Sequence, residues 1–224
     1  MFKRLKAYAL GLVCALLLPA YAQTSAGDAG GAGSIDALQQ LLKANTSGQS
    51  RFTQTVTSAA KADGSKPRQK LSEGTFAFSR PGRFRFDYTA PFAQTLVADG
   101  TTMWMYDPDL AQVTASDQAA TLGNTPAALI SSTADLSGLR SHYTLEGLPS
   151  SEGLQWVRAT PKQADGALKW VKLGFDASNI AALVMLDQFG QTSDMRFGAF
   201  KPLPSNSAAV FGFQPPPGVD LIRQ

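Results

Sequence analysis

His142 is the only histidine in the chain and Cys14 the only cysteine. A Ser-His-Asp relay, an imidazole–metal site or a thiol nucleophile would have to run through one of these two residues. His142 has no metal-type neighbour in the sequence, and no Gly-x-Ser-x-Gly turn presents a serine nucleophile. The run Gly27 to Gly33 leads into no nucleotide-binding signature. The 17 Asp and Glu residues are scattered without a cluster. Acid–base, thiol, phosphate-cradle and metal chemistry therefore find no constellation to work with. The reading is a non-enzyme with no metal and no cofactor. One charged residue remains unexplained: Arg80 shares a strand face with Phe76 and Phe78, where a buried guanidinium needs partners and an exposed one would snorkel to water.

The stretch from Glu73 to Thr114 supplies that face. Successive side chains of a strand point to opposite sides, so parity sorts them. Gly74, Phe76, Phe78 and Arg80 fall on one side, followed by Phe84, Phe86 and Tyr88, while Arg83, Arg85 and Asp87 fall on the other. Pro81-Gly82 is a turn signal between the two runs. Asp99-Gly100, flanked by Leu96-Val97-Ala98 and Met103-Trp104-Met105, marks the next hairpin. An antiparallel meander with a band of aromatic rings on one face is the centre of the protein.

The amino terminus has the form of a secretory leader. Lys3, Arg4 and Lys6 precede an apolar run from Ala7 to Leu18, too short to span a bilayer, and Ala20-Tyr21-Ala22 is an Ala-x-Ala cleavage site. Residues 1–22 are read as a cleaved signal peptide and Gln23 to Gly33 as a flexible Gly/Ala-rich linker. Residues 34–224 are read as one domain in the periplasm, with no internal repeat. Removing the leader takes Cys14 with it and lowers Lys+Arg from 20 to 17, equal to the 17 acids. A formally neutral chain without cysteine offers no basic surface for nucleic acid and no disulfide. It must rely on its core, and about 200 residues suffice for one.

Two helices are expected to cover the sheet. Ser34 reads as the N-cap of the first, in which Ile35, Leu38, Leu41 and Leu42 recur on one face before the helix ends near Asn45 to Gly48. In the second, Thr125 caps, Pro126 takes the first position, and Leu129 and Ile130 are apolar; a shorter helix is read at Ser116 to Leu122. Arg51 to Thr57 reads as a strand before the meander. Strands follow it at Ser141–Leu145, Leu154–Thr160, Leu168–Phe175, Ile180–Asp187, Gln191–Phe200 and Val210–Phe213. Roughly ten or eleven strands in series with few helices describe one antiparallel sheet, curled or closed. Helices totalling about thirty residues are too few to cover it, which leaves an apolar concavity fit for a hydrophobic ligand. A filled core is the alternative.

The chain resembles the LolA family of periplasmic outer-membrane lipoprotein carriers. The resemblance rests on Arg80-Pro81-x-x-Phe84-x-Phe86, Val97-x-Asp99-Gly100-x-x-x-Trp104-x-Tyr106 and Gly123-Asn124-Thr125-Pro126. Phe52-Thr53-Gln54 and the closing Phe211-x-Phe213-x-Pro215-Pro216-x-Gly218-Val219-Asp220 add to it, so that it covers about residues 34 to 222. It implies a mainly β fold: an unclosed antiparallel β-barrel under a helical lid, with a hydrophobic cavity between them. It implies a monomeric chaperone that takes acylated lipoproteins from an inner-membrane ABC transporter to the outer-membrane receptor LolB. Arg80 matches the family arginine that bonds the lid backbone, and Phe84 the aromatic used in transfer. The acyl-contacting set expected here is Phe76, Phe78, Phe84, Phe86, Trp104, Leu38, Leu42, Leu129 and Ile130. Gly82-Arg83 before Phe84, and Phe86 where the family often has Trp, depart from the pattern. A periplasmic half-barrel sensor that binds lipoprotein or envelope polymer is the rival reading.

Overall fold

The structure, a computed structural model, describes residues 32–60, 64–122, 136–163, 167–203 and 207–224. The leader, most of the linker, and the segment of Thr125, Pro126, Leu129 and Ile130 lie outside the described residues. Twelve strands form one sheet: β1 (Ser47–Thr57), β2 (Gln69–Ser79), β3 (Arg83–Ala90), β4 (Gln94–Ala98), β5 (Thr102–Asp107), β6 (Gln112–Asp117), β7 (Tyr143–Ser151), β8 (Leu154–Pro161), β9 (Leu168–Phe175), β10 (Ile180–Asp187), β11 (Thr192–Phe197) and β12 (Asp220–Arg223). Their spatial order is β12-β6-β5-β4-β3-β2-β1-β11-β10-β9-β8-β7, so the sheet does not close on itself. The described helices are α1 (Ala32–Ala44), α2 (Gln118–Leu122), α3 (Ser137–His142) and α4 (Ser207–Val210).

The meander forms as its alternation requires. Phe76 pairs with Phe86 and Phe78 with Phe84 across β2 and β3. Phe84 then faces Ala98 and Phe86 faces Leu96 on β4. At the β4–β5 turn Gly100 takes φ +113°, open to glycine at little cost. The Asp99 carboxylate closes this turn by accepting from Thr101 N and Oγ1, each at 2.9 Å, and from Thr102 N at 2.8 Å. Gly74 is required for a different reason. A Cβ there would lie 2.1 Å from the Asp87 carbonyl oxygen, so only glycine lets β2 approach β3 at the register shift after Glu73.

The concave face carries the core. Leu38, Leu41 and Leu42 of α1 and Leu139 of α3 join Phe52, Phe76, Phe78, Phe84, Phe86, Phe175, Leu183 and Met195 in one buried cluster. The convex face is filled differently on its two halves. Over β3–β6, Phe211 is buried and Phe213 lies against Trp104 and Tyr106, at ring distances of 5.5 and 6.0 Å. Over β8–β11, Trp156 lies across Gly174, where a Cβ would meet ring carbons at 2.8 Å.

Several sequence readings are corrected here. α1 starts at Ala32, so Ser34 is a buried residue inside the helix rather than its cap, and Gly33 belongs to the helix rather than to a linker. Helix extent is set by packing more than by a single capping residue. Residues 137–142 form a helix, so His142 stands at its end and not on a strand. Val210–Phe213 is no strand: α4 ends there, and the chain runs over the convex face. The last strand is β12, which pairs parallel with β6 and makes the sheet mixed.

Candidate functional site

Six rings and one helix make the candidate site. On the concave face Phe76 lies 4.4 Å from Phe86 and 5.9 Å from Phe78, and Phe84 meets Phe86 edge-on at 5.9 Å. Phe52 of β1 meets Phe86 and Tyr88 edge-on at 5.6 and 5.0 Å. Offset and edge-on pairs of this kind are favourable arrangements of aromatic rings, so the floor is a connected ring network. Phe84 is fully buried, and Phe76 is 1% exposed.

The cover over this floor is α1. Its 3.6-residue period puts Leu38, Leu41 and Leu42 on one side, and these are 0, 6 and 1% exposed. The helix reaches β7 and β8 on the far arm of the sheet. At its C-terminal end Leu41 and Leu42 lie beside Phe78, Ile180 and Phe200, where the remaining cavity is only 20 Å³, room for about one water. At this end of α1 the described residues are closely packed.

Arg80 holds that end of the helix. It follows β2, on the aromatic face as its parity requires, with its guanidinium 4.5 Å over the Phe78 ring. Its Nη1 donates to the carbonyl of Asn45, the residue after α1. Its own N–H donates to Thr46 O at 2.8 Å. The final carbonyls of a helix lack intrahelical N–H donors and carry partial negative charge, so a cation here is favourable twice over. Asn45 ties the same corner to the far arm, donating from Nδ2 to Leu41 O at 3.2 Å and to Ser178 O at 3.1 Å. Burial pushes the Arg80 pKa down to about 10, which leaves it charged at neutral pH.

Of the expected acyl-contacting residues, the structure brings Phe76, Phe78, Phe84, Phe86, Leu38 and Leu42 into one cluster with Arg80 at its edge. Trp104 is not among them. Its neighbour Met103 points into the cluster, so alternation sends Trp104 to the convex face, where Nε1 donates to Asp99 Oδ2 at 2.8 Å and the ring lies on Phe213. Phe52, Phe175 and Leu139, which the site reading passed over, belong to the cluster. The alternation Phe52-x-Gln54-x-Val56 was the available signal for the first of these. Among the described residues, no group of three His, Cys, Asp or Glu side chains could hold a metal ion.

An unclosed sheet with a ring-lined face, packed among the described residues against α1 whose end Arg80 bonds, defines a half-barrel fold. Comparison with known proteins gives the family. The model of the outer membrane lipoprotein carrier protein LolA matches residues 44–214. The chain is 50% identical over 198 residues to an outer-membrane lipoprotein carrier protein of Albidiferax ferrireducens, covering 87% of this chain and 92% of that one. It is 41% identical over 191 residues to one of Neisseria gonorrhoeae, covering 85% and 87%. Among solved structures, a LolA superfamily protein of Nitrosomonas europaea is similar with a TM-score of 0.46 at 13% identity, covering 81% of this chain and 96% of that one. The chain belongs to the LolA family. It is an outer-membrane lipoprotein carrier of the periplasm, a transport protein and not an enzyme.

Proposed function

We propose that the concave ring floor binds the acyl chains of lipoprotein cargo, and that α1 is displaced to admit them. The observation that carries this reading is the pairing of a continuous aromatic floor with a helix whose three leucines bury themselves on it, latched by one arginine. The energetics fit a carrier that must release. Burying one long acyl chain contributes on the order of 10 kcal/mol at about 0.8 kcal/mol per CH₂. Three leucines at about 1.5–3 kcal/mol each bring roughly 5–9 kcal/mol to the closed state. Cargo that replaces Leu38, Leu41 and Leu42 gains only the difference, so affinity stays moderate.

In this reading Phe84 and its ring neighbours contact the acyl chains and Arg80 sets the closed-to-open balance. The donor in this reading is an inner-membrane ABC transporter and the acceptor LolB. Residues 1–22 serve as the cleaved leader. Lipoprotein bound to the purified carrier is mixed with LolB-containing vesicles and transfer is followed. Transfer by the wild type is expected. A carrier that neither retains lipoprotein nor passes it on refutes the reading.

A further inference from the structure

The concave face turns from apolar to polar toward one end of β1, β2, β4 and β5. On β1, Phe52 is followed on the same face by Gln54, and on β2 the phenylalanines give way to Ser72 and Lys70. On β4, Leu96 gives way to Gln94, and on β5, Met105 gives way to Asp107. Pairing puts these positions in two adjacent rows: Phe52, Gly74, Tyr88 and Gln94 run across the first, and Gln54 faces Ser72 in the next row out. Beyond it, the β3–β4 and β5–β6 turns raise Phe92 and Leu110, 61 and 68% exposed, on the flanks of a groove of 430 Å³. That size lies within the range of small-ligand sites. Tyr88 belongs to both regions: its ring is 5.0 Å from Phe52, and it also lines the groove. Lys70 Nζ stands 4.9 Å over the Phe92 ring, placing a cation at the mouth.

A lipoprotein has the same order along its length. Acyl chains come first, then the glyceryl esters and thioether of the modified cysteine, then peptide. The acyl chains can lie on rings alone, but peptide groups drawn out of water need hydrogen-bond partners. We propose that this rim groove holds the modified cysteine and the first peptide groups of the cargo, through the Gln54 and Gln94 amides, the Ser72 hydroxyl and Lys70. The inference rests on the acyl-chain reading above and deepens it: the groove sets which way round the cargo lies and selects lipopeptide over plain lipid.

The test uses two ligands of equal acyl content, dioctanoylglycerol and an S-dioctanoylglyceryl-cysteinyl tetrapeptide. Each displaces a fluorescent fatty acid from the full mature chain, in wild type and in a Gln54→Leu/Gln94→Leu variant. Wild type should bind the lipopeptide at least about fivefold more tightly than the diacylglycerol, the effect of roughly one hydrogen bond's net contribution. The variant should lose that preference while binding diacylglycerol as wild type does, which also certifies its fold. No preference in wild type, a preference that survives in the variant, or equal weakening of both ligands overturns the groove assignment. Failure of wild type to bind either ligand overturns instead the acyl-chain reading on which it rests. A Lys70→Ala variant gives an independent check, with a smaller loss confined to the lipopeptide expected and none contradicting the role of Lys70.

Discussion

Replacing Arg80 with leucine removes the cation that meets the Asn45 carbonyl at the end of α1. A hydrogen bond from a charged donor contributes about 1.5–3 kcal/mol. Contact with the Phe78 ring at 4.5 Å adds roughly 0.5–1 kcal/mol. Leucine is spared the desolvation that lowers the arginine's pKa to about 10, and this offsets part of the loss. A net effect of about 2 kcal/mol shifts the closed-to-open ratio of α1 by roughly 30-fold. Amide exchange reads this directly. In Arg80→Leu, the amides around Leu38 to Leu42 should exchange roughly 30-fold faster while those of β8–β10 keep their protection. Easier opening favours the loaded state, so the variant should accumulate bound lipoprotein and pass it on slowly. Wild-type exchange in α1 would refute the latch, and so would faster exchange spread evenly through the sheet.

Three further outcomes follow from particular contacts. Gly74→Ala drives a Cβ to 2.1 Å from the Asp87 carbonyl oxygen, so urea denaturation should show a loss of about 3 kcal/mol or more. Gly198→Ala, whose Cβ would meet Ser50 Oγ at 3.5 Å, should stay within about 1 kcal/mol of wild type; equal losses would contradict the close approach. Burial raises the pKa of Asp99, but hydrogen bonds from Thr102, Trp104 and Thr101 outweigh it and hold the carboxyl below its ordinary value. The folded chain then binds fewer protons than the unfolded one, so this contribution is complete above about pH 4 and is lost as pH falls through the folded pKa. The stability gap between wild type and Asp99→Asn should therefore shrink in acid, and a gap independent of pH would contradict it. In titration with a fluorescent fatty acid, Phe84→Leu should weaken uptake and Trp104→Leu should not; the reverse would assign the ligand to the other face of the sheet.

The legible part of the fold was what local periodicity dictates. Alternation put Phe76, Phe78, Phe84, Phe86 and Arg80 on one face, and the register of β2 and β3 agrees residue by residue. The leucine spacing of α1 likewise matches its buried side. What the sequence concealed was non-local. Trp104 reads as one more core aromatic until the tail from Phe211 to Phe213 is seen to cover the opposite face of β5. That tail reads as a strand because its own residues alternate, yet its partners are Trp104 and Tyr106, about a hundred positions earlier. β12 is four residues long with a parallel partner on β6, and no local pattern announces such a pairing. The Arg80 contact was legible as a charge on an apolar face, and the resemblance implied a lid-backbone acceptor. That the acceptor is the Asn45 carbonyl could not be read, because a backbone carbonyl carries no sequence signature.

Photocrosslinking tests the central claim most directly. Lipoprotein carrying a diazirine near the end of one acyl chain is loaded onto the carrier, irradiated, and the adducts are mapped by mass spectrometry. Adducts should fall on Phe76, Phe84, Phe86 and the leucines of α1, the residues that meet in one cluster on the concave face. Adducts confined to Trp104, Phe211 and Phe213 on the convex face would contradict the account.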